Sequence, residues 1–202
     1  MAYSDFTLET VLTQFDLEEV TAPLFETIVP VQPSAWLQES LAIGQEYGLR
    51  SGTEKARSEF IVTPILLELR RLSTEPFAIY SGRNLEGDRS LGLNGECDFL
   101  LSHGETSYSL HSPVFAIVEA KKQDLDLGLG QCAAQLVGAR LFNQKKKELI
   151  PTLYGCVTTG DNWLFLKLED QLLTLDTHRF FYSELDRILG VLTQILTQIQ
   201  QR

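Results

Sequence analysis

The sequence predicts an α/β protein in which helices flank a central mixed β-sheet. Segments with apolar residues at helical spacing occupy both ends of the chain. Short apolar runs, bounded by glycine and charged residues, fill much of the middle. The resulting order of helices, strand, hairpin, helix, strands and helix is typical of a mixed sheet with helices packed against it.

The first fifty residues are expected to be helical and irregular. A helix is predicted over 7–15 from the apolar spacing. A second is predicted over 35–47, where Ser34 can cap its start and Gly48 marks its end. Residues 1–52 are therefore predicted to form an N-terminal helical extension, and 53–202 a single domain.

A long helix is predicted from Thr53, a capping residue, to about Leu72. Its apolar residues share one broad face. Those residues are Phe60, Ile61, Ile65, Leu66 and Leu69. Pro64 lies inside this helix and should kink it, because proline has no N–H to donate to the preceding turn.

Strands are predicted to follow, interrupted by one helix and closed by another. Segments 96–102 and 114–121 should pair as an antiparallel hairpin. The terminal helix has a wide apolar stripe, which suits either a core or a dimer surface. The remaining predicted elements are a strand over 76–81, a loop over 82–92, a helix over 131–144, strands over 153–158, 163–168 and 172–175, and the terminal helix over 183–200.

The sequence has no features of a membrane-spanning or secreted protein. No apolar run approaches the roughly 18 residues that a membrane span needs, and the first residues do not resemble a signal peptide. We therefore expect a cytoplasmic protein without membrane contact. The three cysteines, Cys97, Cys132 and Cys156, are widely spaced in apolar surroundings, which is typical of reduced core residues.

Two carboxylates and a lysine accompany the predicted hairpin. In a strand, residues i and i+2 point to the same side, so Glu119 and Lys121 should project together, beside Phe115 and Ile117. Asp98 lies on the partner strand. Burying a carboxylate is costly unless a cation or a metal ion compensates it. Aligned, these three side chains would form a hard-cation site beside an ammonium group, which suits metal-assisted phosphodiester hydrolysis.

Asp98 followed by the triplet Glu119-Ala120-Lys121 at a strand end resembles the motif of the PD-(D/E)xK nuclease superfamily. Glu59 on the preceding helix is similar to the helix glutamate that joins the metal site in many members. Gln131 and Gln135 resemble the glutamine carried by the helix after the triplet in RecB-like and archaeal-resolvase-like branches. The resemblance covers about 53–175, and it implies a restriction-endonuclease-like core. Cys97 stands where the motif has a proline.

The resemblance also implies roles for these residues. Asp98, Glu119 and Glu59 would bind Mg²⁺ or Mn²⁺, with the main-chain carbonyl of Ala120 as an extra oxygen ligand. Lys121 would orient or deprotonate the attacking water and stabilise the developing charge. Either glutamine would contact a DNA phosphate or hold a ligand in place; Gln135 is favoured over Gln131. Lys122 is a further candidate for contact with substrate.

Each of these residues also has a purely structural interpretation. Asp98 and Glu119 could form a structural ion pair with Lys121. Glu59 could lie on the solvated face of an amphipathic helix, and Lys122 could be an ordinary solvated lysine. The two glutamines could belong to an ordinary helix surface. Histidines 103, 111 and 178 are expected to be solvent-exposed rather than metal ligands.

Two expectations about function follow. The first is a divalent-metal-dependent nuclease, a hydrolase of DNA phosphodiester bonds, with endonuclease and exonuclease action both open. The resemblance implies a homodimer, since many relatives dimerise so that two sites cut two strands. The second is a nuclease-fold binding or regulatory module without turnover. The formal net charge of −10 favours weak DNA binding by the free protein, or a nuclease subunit that needs a basic or helicase-like partner for delivery to DNA.

Overall fold

The computed structural model describes residues 1–50 and 52–200. The seven strands are β1 (Glu18–Ala22), β2 (Phe77–Asp88), β3 (Leu93–His103), β4 (Val114–Ala120), β5 (Thr152–Thr158), β6 (Asn162–Glu169) and β7 (Leu172–Phe181). The α-helices are α1 (Leu8–Phe15), α2 (Ala35–Arg50), α3 (Glu54–Arg57), α4 (Thr63–Leu72), α5 (Asp126–Lys145) and α6 (Leu185–Gln200). A π-helical turn, Ser58–Val62, joins α3 to α4.

All seven strands form one mixed sheet in the order β1-β7-β6-β5-β4-β3-β2. The pairs β1–β7 and β4–β5 are parallel, and the other four are antiparallel. The parallel step from β4 to β5 crosses over through α5, as parallel neighbours require. The predicted α/β class with a mixed sheet flanked by helices is confirmed.

The N-terminal region contains a strand that the sequence did not predict. β1 pairs with β7 and forms one edge of the central sheet. Tyr3 and Phe6 are buried in the core beneath α5. The two predicted helices of this region are present, with Thr7 and Ser34 accepting the capping hydrogen bonds, but the second continues to Arg50, past its predicted end at Gly48. Residues 1–50 are therefore built into the sheet and its core.

Each face of the sheet carries its own apolar core. α5 and the N-terminal segment cover one face, which includes Leu100, Ile117 and Val157. α2, α4 and α6 cover the other face, which includes Phe99 and Val118. The apolar stripe of α6 is buried in this second core, so within the described residues it is core cover and not a free dimer surface. The three cysteines are buried in the core, as predicted, and none of them forms a disulfide.

The strand β2 is longer than predicted. The segment 82–92, expected to be a loop, continues β2 as far as Asp88 and pairs with the first half of β3. The register of β3 and β4 shifts between Leu101 and Ser102, whose partners are Ala116 and Val114. Phe115 is the extra residue at this bulge, and it packs in the core opposite to that of Ile117. The expected shared side for Phe115 and Ile117 was therefore wrong.

The predicted long helix is interrupted as Pro64 requires. The π-helical turn Ser58–Val62 ends two residues before Pro64. The missing N–H and the bulk of the proline ring disturb the α-helical hydrogen bonds of the preceding turn. α2 packs against this turn. A Cβ atom on Gly44 would collide with the main-chain carbonyl of Phe60, so only glycine allows this approach.

No helix among the described residues combines the length and the apolar character needed to cross a lipid bilayer.

Candidate functional site

The hairpin β3–β4 brings the two predicted carboxylates to adjacent positions. Phe99 pairs with Val118, so Asp98 and Glu119, the next residues outward, lie side by side. The Oδ2 atom of Asp98 accepts a hydrogen bond from the main-chain N–H of Ala120 at 2.7 Å. The sheet register therefore places the two carboxylates together, as the hairpin pattern predicted.

Glu119 is the centre of a buried hydrogen-bond network. Its side chain is almost entirely buried. Lys121 donates from Nζ to Glu119 Oε1 at 2.9 Å, and Gln135 donates from Nε2 to Glu119 Oε2 at 2.9 Å. Lys121 also donates to Gln131 Oε1 at 2.9 Å. The structure thus brings together the triplet and both glutamines, and each glutamine contacts a different member of the triplet.

The electrostatics of the two carboxylates favour their protonated forms. Burial raises the pKa of Glu119 to about 7, and the charge of Asp98 adds to the shift, against the opposing effects of Lys121 and Gln135. Burial likewise raises the pKa of Asp98, although the Ala120 N–H and the charge of Lys121 act against it. Two carboxylates share one desolvated space with a single ammonium, so a second cation would stabilise both as anions.

The pKa of Lys121 is raised although burial alone would lower it. The opposing cause is the carboxylate of Glu119, through its charge and its hydrogen bond, with further contributions from Glu54 and Asp98. Lys121 is therefore a protonated donor near neutral pH. This favours a role in orienting water and stabilising charge over a role as a general base.

α5 supplies the two glutamines because it crosses close to the end of β4. Gln131 and Gln135 are one turn apart and share the helix face directed at the triplet. Gly128 allows this approach, since a Cβ there would lie 3.0 Å from Lys121 Cγ and would also collide with Val157. The Oε1 atom of Gln135 is buried without a hydrogen-bond partner among the described residues.

The helix residue Glu59 is placed differently from the expectation. Its side chain is half exposed, and its Oε1 atom lies 3.2 Å from Lys55 Nζ. Glu54, five residues earlier, is the acidic residue of this segment whose charge raises the pKa of both Asp98 and Lys121. Glu54 lies in α3 and Glu59 lies in the π-helical turn that follows it, so the two side chains do not share one α-helical face.

The oxygen atoms around Asp98 and Glu119 are suited to hold a divalent cation. The described residues contain no group of three or more His, Cys, Asp or Glu side chains that could hold a metal ion, so the expected convergence of Glu59 with Asp98 and Glu119 is absent. Mg²⁺ nevertheless needs only one or two carboxylates, with water and substrate phosphate completing its shell. Asp98 and Glu119 meet that requirement, and the orphan oxygen of Gln135 can accept a hydrogen bond from a metal-bound water.

Other predicted residues lie around the site. Ala120 is buried at the end of β4. Lys122 is exposed and lines a polar cavity beside the site. His103, expected to be exposed in a loop, instead ends β3 and packs against Phe115 with ring centroids 5.2 Å apart. Burial lowers the pKa of His103, which agrees with its place at the edge of the core.

Two residues near the site were missed by the sequence analysis. Glu54 is the first residue of α3, directly after the cap Thr53, and that position could have suggested a carboxylate directed towards the strand ends. Arg57 donates from its guanidinium to the main-chain carbonyl of Thr159. This interaction links α3 to the end of β5, and nothing in the local sequence indicates it.

Neither models of known protein families nor curated protein sequences match the chain. The resemblance to a nuclease motif therefore depends on the residues and on the geometry described above.

Proposed function

We propose that the protein is a divalent-metal-dependent nuclease of the PD-(D/E)xK type that hydrolyses DNA phosphodiester bonds. One observation carries the proposal. Asp98 and Glu119 lie side by side at the end of a buried hairpin, with Lys121 and Gln135 bonded to Glu119. A buried carboxylate pair with a single neighbouring ammonium is stabilised by a bound cation, and this favours a metal site over a purely structural ion pair.

In this proposal Asp98 and Glu119 would hold Mg²⁺ or Mn²⁺, with the carbonyl of Ala120 as a further oxygen ligand. When bound there, the ion would supply Lewis-acid chemistry for phosphodiester hydrolysis. Gln135 holds Glu119 in place through its Nε2 donor. A restriction-endonuclease-like core is also part of this proposal. The observed mixed sheet flanked by helices belongs to the broader α/β class, which includes such cores.

Lys121 has a defined task within the same proposal. An ammonium has three N–H donors, and two of them point to Glu119 and Gln131. The third would donate to the attacking water or to a non-bridging phosphate oxygen, where negative charge accumulates during the displacement. Gln131 keeps the ammonium turned towards this position.

A second candidate is a nuclease-fold module that binds a partner without turnover. Two observations favour it. Lys121 already neutralises Glu119 without a metal ion, and the net charge of −10 opposes approach of the nucleic-acid backbone. A nuclease subunit that a basic or helicase-like partner delivers to DNA would overcome the same repulsion, whereas a homodimer would supply two sites to cut two strands but would also double the negative charge.

Plasmid nicking at low salt with Mg²⁺ or Mn²⁺ tests the leading proposal. The protein should convert supercoiled DNA to the nicked form, and Lys121→Ala should abolish the conversion while still binding Mn²⁺ in calorimetry. Nicking that survives in Lys121→Ala would indicate a contaminating nuclease. Mn²⁺ binding that is lost in Asp98→Ala and Glu119→Ala, with no cleavage of any DNA or RNA substrate, would favour the binding module.

A further inference from the structure

A polar cavity of about 350 Å³ lies beside the candidate metal site and has no part in the proposed chemistry. The ends of α2 and α3, the segment after β4 and the turn between β5 and β6 form its walls. Its lining residues are Leu49, Arg57, Lys122, Gln123, Thr159, Asp161 and Asn162.

Covalent and hydrogen-bonded links connect this cavity to the site. Lys122 directly follows Lys121 in the chain, and the main-chain N–H of Lys121 donates to the carbonyl of Thr158 at 2.7 Å. Thr159, the next residue, belongs to the cavity wall. Arg57 lies one helical turn after Glu54, whose charge acts on Asp98 and Lys121. The cavity thus lies at the same end of β4 and β5 as the carboxylate pair.

The charge of the cavity differs from that of the chain. Arg57 and Lys122 bring two positive charges to its wall, and Asp161 brings one negative charge. The chain as a whole carries −10. A cleft with an excess of positive charge raises the local concentration of anions, even in an acidic protein.

Arg57 has unused hydrogen-bonding capacity at this wall. Its guanidinium donates to the carbonyl of Thr159, which fixes the orientation of the group. Its Nε atom is buried and has no hydrogen-bond partner among the described residues. A buried donor left unpaired is destabilising, and a guanidinium matches two oxygens of a phosphate group. Because Nε is closed off from solvent and Nη1 bonds Thr159, Nη2 is the nitrogen that can donate to a phosphate oxygen in the cavity.

We propose that this cavity binds a backbone phosphate of the nucleic acid, adjacent to the phosphodiester placed at Asp98 and Glu119. Arg57 donates to its oxygens in a fixed geometry, and Lys122 adds a mobile positive charge at the open side. The inference rests on the proposed nuclease function, and it explains how an acidic protein can hold a polyanion close to two carboxylates. Free inorganic phosphate has the same chemistry and is the alternative ligand.

Binding of a fluorescein-labelled DNA duplex without divalent cations, followed by anisotropy over a series of NaCl concentrations, tests the inference. Removal of one cation that neutralises a phosphate should reduce the slope of log K against log [NaCl] by about 0.9. Arg57→Gln and Lys122→Gln should each show that reduction together with weaker binding. Lys122→Gln is the safer variant for folding, because its side chain is exposed.

A matched control removes the same charge elsewhere. Lys147 follows the C-terminal end of α5, whereas Gln131 lies near the start of that helix. A helix of 20 residues is roughly 30 Å long, which places Lys147 far from the cavity. Lys147→Gln should leave the slope unchanged. Asp161→Asn should have the opposite effect to the cavity variants and tighten DNA binding severalfold.

The outcomes separate this inference from the proposed function. Equal slopes for the wild type, Arg57→Gln and Lys122→Gln, or a wild type that binds no DNA at low salt, would overturn the phosphate site, whatever the nicking assay shows. Calorimetry with inorganic phosphate alone distinguishes the ligands: loss of phosphate binding in Arg57→Gln with DNA binding intact would assign the cavity to free phosphate. If the wild type does not nick plasmid DNA, but its salt slope still differs from those of Arg57→Gln and Lys122→Gln, only the proposed hydrolysis would be overturned.

Discussion

Glu68 and Glu119 are both nearly completely buried, yet their surroundings differ in kind. Glu68 accepts hydrogen bonds from the main-chain N–H and the hydroxyl of Ser34, at 2.8 and 2.9 Å, and pairs with Arg71 at 3.6 Å. Donors therefore saturate its carboxylate. Glu119 has Lys121 and Gln135 as donors, but it also has a second carboxylate, Asp98, beside it.

The difference shows that burial of a carboxylate does not by itself mark a functional site. The Glu68 carboxylate ties the start of α2 to α4, since Ser34 also caps α2 through the N–H of Leu37. This is a structural role. Glu119 shares a desolvated space with a like charge, an arrangement that costs stability and is typical of groups retained for chemistry or for a metal ion.

Cleavage activity should show the largest difference between the two carboxylates. Glu119→Gln removes a charge from the candidate metal site and should lower the nicking rate by at least about a hundredfold. Glu68→Gln retains the shape and should change the rate of the folded protein less than about twofold, because Glu68 contacts no candidate site residue. Equal losses in the two variants would remove the functional distinction.

Stability should change in the reverse order. Glu68→Ala leaves the N–H of Ser34 and the guanidinium of Arg71 without their shared acceptor, and should lower the free energy of unfolding by about 3 kcal/mol. Glu119→Gln should cost much less, or stabilise the protein at pH 8, because it removes a like-charge contact. Urea denaturation at pH 8 measures both. A larger loss for Glu119→Gln would contradict the comparison.

The pH dependence of stability isolates the titration of Glu119. Its pKa is raised from the ordinary 4.5 to about 7, so between these pH values the folded protein holds a proton that the unfolded chain has released. Stability should therefore fall as pH rises from 4.5 to 7, by up to roughly 3 kcal/mol. The fall should be much smaller in Glu119→Gln, as followed by chemical denaturation without divalent ions. An unchanged pH profile in this variant would assign the dependence to another group.

Gly128 tests how closely α5 must approach the triplet. Gly128→Ala places a methyl group against Val157 and the stem of Lys121, and should lower the free energy of unfolding by about 1 to 3 kcal/mol. Displacement of Lys121 should also reduce cleavage about tenfold. Gly104→Ala serves as the control for a glycine with open space around it, although its positive φ adds some strain. Full activity in Gly128→Ala would show that the position of Lys121 is not critical.

The smallest effect should distinguish the two helix glutamates. Glu54→Gln removes a negative charge that acts on Asp98 and Lys121, and should lower the affinity for Mn²⁺ severalfold. Glu59→Gln should leave this affinity unchanged. Calorimetry with Mn²⁺ measures both. An effect of Glu59→Gln alone would assign the metal-site role to Glu59 instead.

The sequence by itself predicted the α/β class, most helices and the hairpin that carries Asp98 and the Glu119–Lys121 triplet. These depend on local signals, namely helical spacing, capping residues and strand alternation. It also predicted that Gln131 and Gln135 share a helix face, since one turn separates them.

Only the tertiary structure decided which side chains meet. β1 is a short edge strand with weak alternation, and its pairing with β7 depends on a partner about 150 residues away in the chain. The charge of Glu54 rather than that of Glu59 acts on Asp98 and Lys121, and the packing of α3 against β4 places it there. The link from Arg57 to Thr159, and with it the polar cavity, has the same origin. Packing determines the contacts between segments that are distant in the chain, and local sequence patterns do not contain this information.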